Sequence, residues 1–212
     1  MVATDMADWW GAGAIASYFA SKAPNERLVQ WLDDHSMPFP TSVLDIGCGH
    51  GRNLTIFQET PFISGFDPSP GSVCFASTRT DIARHASIKA GRLPNHPYKG
   101  NRFDLVIADG VLHQVTNERD WVHALLAICE AVEIGGTLFL SLFVSDNSPG
   151  KCQSSDGLLW TSHEHPPMRL LHSTEVIAHL VSAGGIVKRS LLEQFDLPSG
   201  SRANLTLLLG FE

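Results

Sequence analysis

The stretch Val43–Gly51, VLDIGCGHG, decides the fold of this 212-residue chain, because an apolar run ends in three glycines at alternate positions. Glycine has no Cβ, so the backbone at Gly47, Gly49 and Gly51 can turn sharply and approach a ligand closely. A dinucleotide loop would read G-x-G-x-x-G and bind a pyrophosphate. Here Asp45 stands two residues before the first glycine. Its carboxylate would repel a pyrophosphate and suits a ligand with a positive amino or sulfonium group, so the stretch predicts a nucleotide-cofactor loop of this second kind.

A second acidic residue follows the loop at a spacing that fits ribose binding. Residues 62–67, FISGFD, predict a short strand that ends in Asp67, 20 residues after Gly47. An acid at this distance stands at the tip of the next strand, where it can accept both hydroxyls of a ribose. Residues 103–113, FDLVIADGVLH, then predict an apolar strand that ends in Asp109 and a turn that includes His113.

These three stretches, in this order and spacing, resemble the motifs of the class I S-adenosylmethionine-dependent methyltransferase family of the small-molecule type. Each alone would be a weak signal, because glycine-rich turns and strand-end acids are common in α/β proteins. The resemblance implies S-adenosylmethionine as the cofactor, with the glycine loop under its methionine part and Asp67 at its ribose.

The resemblance also implies a set of cofactor contacts. They are expected from Asp45, Gly47, Cys48, Gly49, Gly51, Asp67, Pro68, Arg92, Leu93, Asp109 and Gly110. Many relatives carry an acid for the adenine amino group where this chain has Gly91-Arg92, so we expect Leu93 to pack on the adenine ring and backbone groups to meet its edge. For Asp109, capping of the following turn is the alternative role.

Methyl transfer from a sulfonium is an in-line displacement, in which the protein orients the reactants and removes a proton where the acceptor requires it. His113 is the first candidate for that base, because an imidazole titrates near neutral pH. A histidine that only holds the loop is the alternative. His163 and His165 are the other candidate bases. Their H-x-H spacing also fits a metal, but the chemistry needs none, so no metal is expected.

Bulk composition excludes several other classes. The formal net charge of −7 opposes a nucleic-acid partner. The hydrophobic fraction of 43% is ordinary for a globular protein. No apolar run reaches about 18 residues and no signal sequence is visible, so we expect no membrane association and a cytoplasmic location. The four cysteines form no C-x-x-C pair, which indicates neither a disulfide framework nor a zinc knuckle. The oligomeric state is left open.

The order of apolar runs and turn residues predicts an α/β fold with a doubly wound, mostly parallel seven-stranded sheet of the Rossmann-like methyltransferase type. Residues 1–40 are expected to form an N-terminal helical lid, with a helix from Asn25, and residues 41–212 the methyltransferase domain. Strands are predicted at 43–47, 62–67, 87–90, 103–109, 137–144, 186–194 and 203–211. Helices are predicted from Gly51, at 71–79, at 117–132 and from Ser173 to Gly184, with a Gly135-Gly136 break and a short or missing helix over 93–102.

Acceptor recognition is assigned to two regions outside these motifs. Residues 145–172 form a polar insertion between a strand and a helix, and a compact domain seldom keeps an idle loop of this length. Trp160 and Glu164 in this insertion, together with Trp10 and Tyr18 of the lid and His113, are the candidate acceptor contacts. The lid aromatics can equally be lid core.

These observations predict transfer of a methyl group from S-adenosylmethionine to a small-molecule acceptor. A nucleic-acid or protein methyltransferase of the same fold is the first alternative, although an Asn-Pro-Pro-aromatic motif for base amino groups is missing after the fourth strand. A non-catalytic S-adenosylmethionine-binding protein is the second. A nicotinamide-dependent reductase is disfavoured by the glycine spacing and by Asp45.

Overall fold

The computed structural model describes residues 21–146, 159–160, 167–197 and 200–212. The helices are α1 (Glu26–Asp33), α2 (Pro70–Thr78), α3 (Glu118–Glu130) and α4 (Ser173–Ser182), with 3-10 helices at Asn53–Phe57 and Leu112–Gln114. The strands are β1 (Ser42–Ile46), β2 (Phe62–Asp67), β3 (Ser87–Ala90), β4 (Phe103–Asp109), β5 (Val132–Val144), β6 (Leu159–Trp160), β7 (Met168–Arg169), β8 (Gly185–Leu197) and β9 (Gly200–Phe211).

Seven of these strands form one sheet in the order β3-β2-β1-β4-β5-β9-β8, which confirms the predicted fold class. The strands from β3 to β5 run parallel, and β9 runs antiparallel to both β5 and β8. The strand order reverses between β1 and β4, because β2 and β3 continue on one side of β1 and β5 on the other. In open α/β sheets a ligand cleft forms at the carboxyl ends of the strands at such a reversal point.

The core lies on both faces of this sheet. One apolar cluster joins the sheet to α3 and α4, and a second joins it to α1 and the 3-10 helix after the glycine loop. The ring of Trp31 from α1 packs edge-on against Phe139 of β5, with centroids 5.6 Å apart. Because β1 and β4 are covered on both faces, they are continuous apolar runs, which is why the sequence located them well.

Side-chain caps define where the helices begin. Asn25 accepts hydrogen bonds from the backbone N–H groups of Arg27 and Leu28, so α1 starts where the sequence predicted. Ser69 caps α2, whose first residue is Pro70, and Asn117 caps α3. These residues satisfy N–H groups that have no partner within the helix.

Two predicted features are wrong. The segment after Gly51 is a five-residue 3-10 helix, Asn53–Phe57, rather than a longer α-helix. Leu54 and Phe57 are both fully buried, and in a 3-10 helix side chains three residues apart face the same side. Gly135-Gly136 also does not interrupt the strand. β5 continues through both glycines, but its pairing with β4 is irregular there. Val132 pairs with Phe103 and Thr137 with Leu105, so residues 133–136 of β5 stand opposite Asp104 alone.

Other boundaries agree with the sequence or extend it. No helix lies between β3 and β4 in the structure, as predicted for 93–102. β8 and β9 form a longer hairpin than predicted, reaching from Gly185 to Phe211. In the described part of the chain no helix is long and apolar enough to cross a membrane. Residues 1–20 of the proposed lid and most of the 145–172 insertion lie outside the described residues.

Candidate functional site

A cavity of about 310 Å³ opens at the carboxyl ends of β1, β2 and β4, where the sheet order reverses. Its wall combines backbone of the glycine loop with two carboxylates, two histidines, an arginine, amide side chains and apolar groups. The lining residues are Gly47, Cys48, Gly49, His50, Arg52, Asp67, Pro68, Ser72, Asp109, Gly110, Val111, His113, Gln114, Ser141, Phe143 and Asn204.

The glycine loop adopts a conformation that only glycine accepts readily. Gly47, Gly49 and Gly51 all have positive φ, at 67°, 52° and 76°. A Cβ at Gly47 would lie 2.4 Å from Cγ2 of Val111, and one at Gly51 would lie 2.5 Å from Cδ1 of Ile82. A Cβ at Gly49 would meet no described atom within 4 Å. Gly49 therefore gives the cavity open backbone, whereas Gly47 and Gly51 permit the close packing that shapes the loop.

Asp67 ties the end of β2 to this loop. Its Oδ2 accepts a hydrogen bond from the Gly49 N–H at 3.0 Å, and its Oδ1 accepts one from the Ser69 N–H at 2.8 Å. Each carboxylate oxygen can accept a further bond, and Asp67 lines the cavity. Burial raises the pKa of Asp67, and the two N–H donors oppose that rise. The arrangement suits two hydroxyl donors on a ligand.

Asp45 lies beneath the loop rather than on the cavity wall. Its side chain is 1% exposed, and its Oδ2 has no hydrogen-bond partner in the described structure. Burial, and then the nearby charge of Asp109, raises the pKa of Asp45 well above its usual value, while Arg52 lowers it. Asp45 can therefore act on a ligand through its charge and its hydrogen-bonding state, while direct contact would require the loop to move.

These features fit the cofactor that the sequence resemblance implies. The open backbone at Gly49 leaves room for a ligand close to the main chain. Asp67 offers a carboxylate for a ribose. The carboxylate of Asp109 lies on the cavity wall, where a cationic group can approach it, whereas burial raises the pKa of Asp45 and so favours its uncharged form.

Asp109, at the end of β4, is held by three side chains. It forms an ion pair with Arg52 and accepts hydrogen bonds from the side-chain amides of Asn25 and Asn53. Arg52 also donates to the carbonyl of Ala23 at 3.3 Å. The network joins the segment before α1 to the residues that follow the glycine loop. The sequence pattern indicated Asp109 as a cofactor contact and Asn25 only as the start of a helix, and it did not indicate Arg52 or Asn53.

His113 lies in the cavity wall as a neutral, buried imidazole. The side chain is 4% exposed, and its Nδ1 accepts a hydrogen bond from the Phe143 N–H at 3.2 Å. Nε2 therefore carries the proton of the neutral ring. Burial, and to a lesser extent the charge of Arg202, lowers the pKa of His113 to about 3. A ring in this state is a hydrogen-bond donor and a weak base.

The remaining sequence candidates fall into three groups. Cys48, Pro68 and Gly110, the expected cofactor contacts, line the cavity, and burial raises the pKa of the Cys48 thiol well above its usual value. The structure does not bring Arg92 or Leu93 to the cavity wall, since Arg92 is exposed and Leu93 packs against the core. Trp10, Tyr18, His163, Glu164 and His165 lie outside the described residues, and Trp160 is described as backbone in β6 alone.

Several residues of the wall were not found from the sequence. Arg52 directly follows the glycine loop, so its position there was a usable signal. Ser141 and Phe143 lie in β5 and Asn204 in β9, and Asn204 donates to the Ser141 hydroxyl at 3.2 Å across the two strands. The parallel pairing of β5 with β4 places Ser141 opposite Asp109, and the antiparallel pairing of β9 with β5 brings Asn204 to the same cavity. No local pattern could have shown these positions.

Comparison with known proteins gives one family match and two partial relatives. Residues 43–136 match the family described as a methyltransferase domain. The chain is 38% identical over 58 residues to EEF1A lysine methyltransferase 2 of human and of mouse. That match covers 26% of this chain and 24% of the human protein.

Solved structures extend the likeness to the whole fold. A SAM-dependent methyltransferase from Methanosarcina mazei has a TM-score of 0.67 at 12% identity, over 90% of this chain and 100% of that one. The 1,6-didemethyltoxoflavin-N1-methyltransferase of Burkholderia thailandensis, solved with its substrate and S-adenosylhomocysteine, has a TM-score of 0.64 at 20% identity, over 92% of this chain and 81% of that one. At these identities the likeness concerns the fold.

Proposed function

We propose, from the premise that the chain belongs to the class I S-adenosylmethionine-dependent methyltransferase family, that it transfers a methyl group from S-adenosylmethionine to a small-molecule acceptor. The observation that carries this proposal is the cavity in which Asp67 and the positive-φ glycines meet at the switch point of the sheet. The match to a methyltransferase domain covers the same glycine loop, Asp67 and Asp109.

The geometry supports an assignment of the residues that hold the cofactor. We assign Asp67 to the ribose hydroxyls, the backbone of Gly47 and Gly49 to the methionine part, and Asp109 to its positive charge. Asp45 lies beneath the loop. When bound, S-adenosylmethionine supplies an electrophilic methyl group on a sulfonium, and the acceptor supplies the lone pair. The chain contributes proximity, orientation and exclusion of water.

The part of the cavity wall beyond the glycine loop favours a small acceptor. Val111 and Phe143 give apolar surface, while Gln114, Ser141 and Asn204 add convergent polar groups. The structural relative from Burkholderia thailandensis acts on a small compound, 1,6-didemethyltoxoflavin, and this chain shares its fold over most of its length.

His113 contributes to this reaction as a donor. Its Nδ1 is engaged by the Phe143 N–H, so Nε2–H is the group it can offer to a bound molecule. An acceptor that is already nucleophilic, such as an amine in its neutral form or a thiolate, needs no stronger base. His163 and His165 remain proposed bases for an acceptor that must lose a proton.

A protein lysine acceptor is the second candidate, because the curated relatives carry that activity in their names. Their match covers about a quarter of each protein, so the acceptor of this chain is a separate question. A lysine side chain would have to enter the same cavity end-on.

Transfer of a labelled methyl group separates these candidates. The purified protein is incubated with methyl-labelled S-adenosylmethionine and a cell extract, and the products are separated by ultrafiltration and identified by mass spectrometry. We expect label in the low-molecular-weight fraction, and much less of it with the Asp67→Ala variant when S-adenosylmethionine is limiting. Label on protein lysines would support the second candidate. Binding of S-adenosylmethionine without any transfer would indicate a non-catalytic binding protein.

A further inference from the structure

Asp109 is the meeting point of segments that lie far apart in the sequence. Its Oδ1 accepts a hydrogen bond from Nδ2 of Asn25 at 3.0 Å. Its Oδ2 accepts one from Nδ2 of Asn53 at 3.2 Å and forms the ion pair with Arg52. Both oxygens are engaged, and the side chain is 8% exposed. Asp109 therefore fixes the positions of Asn25, Asn53 and Arg52.

Asn25 uses its side chain in two directions. The Oδ1 atom caps α1 by accepting the N–H groups of Arg27 at 3.0 Å and Leu28 at 3.4 Å. The Nδ2 atom donates to Asp109, and the backbone N–H of Asn25 donates to Oδ1 of Asn53 at 2.9 Å. A serine in this position would cap the helix about equally well, but its shorter side chain could not also reach Asp109. The donor of Asn25 therefore serves something besides helix capping.

Arg52 places this network at the cavity. It lines the cofactor cavity, and it also lines a second, polar cavity of about 420 Å³ that includes Lys22, Asn25, Glu193 and Asn204. Asn204 is likewise shared by both cavities. The guanidinium is oriented by Asp109 and by the carbonyl of Ala23. Any movement of the segment 22–25 would consequently change the wall between the two cavities.

We propose that Asn25 and Asp109 form a latch, defined by the Nδ2–Oδ1 hydrogen bond between them, that positions Arg52 and the segment 22–25 against the cofactor cavity. Asn25 is thereby a positioning residue for cofactor binding. Opening of the latch releases Asp109 from the start of α1 and leaves Arg52 with a looser orientation. The link to the cofactor rests on the proposed function, whereas the latch itself does not.

Asn25→Ser tests the latch, with Asn117→Ser as the matched control. Both substitutions keep a capping oxygen at the start of a helix, and Asn117 caps α3 without any contact to Asp109. We expect Asn25→Ser to bind S-adenosylhomocysteine more weakly in calorimetry, by up to roughly tenfold, because the lost hydrogen bond lies within the protein and affects binding only through the positions of Arg52 and the segment 22–25. Amide hydrogen exchange at residues 22–28, measured without ligand, should become faster. Asn117→Ser should change neither quantity.

Three outcomes contradict parts of the proposal. Equal exchange at 22–28 in Asn25→Ser and the wild type would overturn the latch. Faster exchange with unchanged affinity would overturn its link to the cofactor site. The third outcome is that Asn25→Ser weakens binding equally in the wild type and in the Asp109→Ala variant. This result would show that Asn25 acts independently of Asp109. Failure of the wild type to bind S-adenosylhomocysteine would overturn the proposed function alone, because the exchange comparison needs no ligand.

Discussion

At the scale of single residues, Asp67 serves both the loop and the ligand. Its two oxygens hold the Gly49 and Ser69 N–H groups and still face the cavity. Burial raises its pKa, but the two N–H donors favour the ionised form. One side chain therefore couples the shape of the glycine loop to the charge presented to the cavity.

Replacement of Asp67 by alanine should weaken the binding of S-adenosylmethionine by roughly tenfold to a hundredfold. Loss of a charged hydrogen-bond acceptor costs on the order of 1.5–3 kcal/mol, and the loop also loses its contact at Gly49. Isothermal titration calorimetry measures the change. Exposed Asp196→Ala is a suitable control, and equal affinity of Asp67→Ala and the wild type would remove the ribose assignment.

His113 should not titrate between about pH 5 and 8. A histidine in an unfolded peptide titrates near pH 6.5, whereas burial lowers the pKa of His113 to about 3. Nitrogen-15 NMR of the imidazole should report a proton on Nε2 throughout this range, because Nδ1 accepts from Phe143. Observation of a charged ring at pH 6 would restore His113 as a candidate base.

The same property predicts the pH dependence of turnover once an acceptor is identified. His113→Asn should lower the rate at every pH and leave the shape of the profile unchanged, because the wild-type ring contributes no ionisation near neutrality. Loss of an acidic limb in His113→Asn would instead show that the ring acts as the base.

At the scale of elements, the irregular pairing at Gly135 and Gly136 shows how two glycines alter the pairing of a strand without ending it. A Cβ at Gly136 would lie 2.8 Å from the carbonyl oxygen of Glu133 and 3.1 Å from that of Phe103. The neighbouring Gly135 has a φ of 80°. The irregularity lets β5 pair with β4 on both sides of residues 133–136.

Gly136→Ala should therefore destabilise the protein by about 1–3 kcal/mol, because the new methyl group would overlap backbone that cannot easily move. Gly71→Ala is the matched control. Gly71 lies in α2, where an added Cβ would meet Oγ of Ser69 at an ordinary 3.8 Å, so this change should stabilise by up to about 0.5–1 kcal/mol. Urea denaturation measures the free energy of unfolding of both variants. Equal destabilisation by Gly136→Ala and Gly71→Ala would contradict the close approach at Gly136.

At the scale of the whole molecule, Asp45 links stability to pH. Burial raises the pKa of Asp45 in the folded chain well above the ordinary value of 3.8. Between these two values the folded state binds a proton that the unfolded state has lost, so stability falls as the pH rises through this window. The contribution is fully present below the unfolded pKa and is lost once the pH exceeds the folded one.

Asp45→Asn should remove this dependence, because the amide does not titrate. As the pH rises, the free energy of unfolding should fall less steeply in Asp45→Asn than in the wild type. The two slopes should differ by at most about 1.4 kcal/mol per pH unit between the unfolded and folded pKa values of Asp45. Thermal denaturation from pH 4 to 8 measures the effect, with the exposed Asp120→Asn as control. If stability changes with pH in the same way in Asp45→Asn and in the wild type, Asp45 does not cause the pH dependence.

Short-range patterns determined the sheet and the ligand loop of this protein. The bounds predicted for β2, β3 and β4 coincide with those observed, because turn residues stand beside these short strands and β4 is in addition a mostly buried apolar run. The positions of the loop glycines and of Asp67 follow from sequence spacing, since backbone freedom and strand-end placement act over a few residues.

Tertiary structure alone decided the rest of the site. Asn25 meets Asp109 across 84 positions, and Phe143, 30 positions away, holds Nδ1 of His113. Asn204 reaches the cavity through the pairing of β9 with β5. Burial depends on what packs around a side chain, so the neutral state of His113 and the raised pKa of Asp45 could not be read from local spacing. The sequence determined which groups stand at the strand ends, and the packing of distant segments determined their charge, their partners and their access to a ligand.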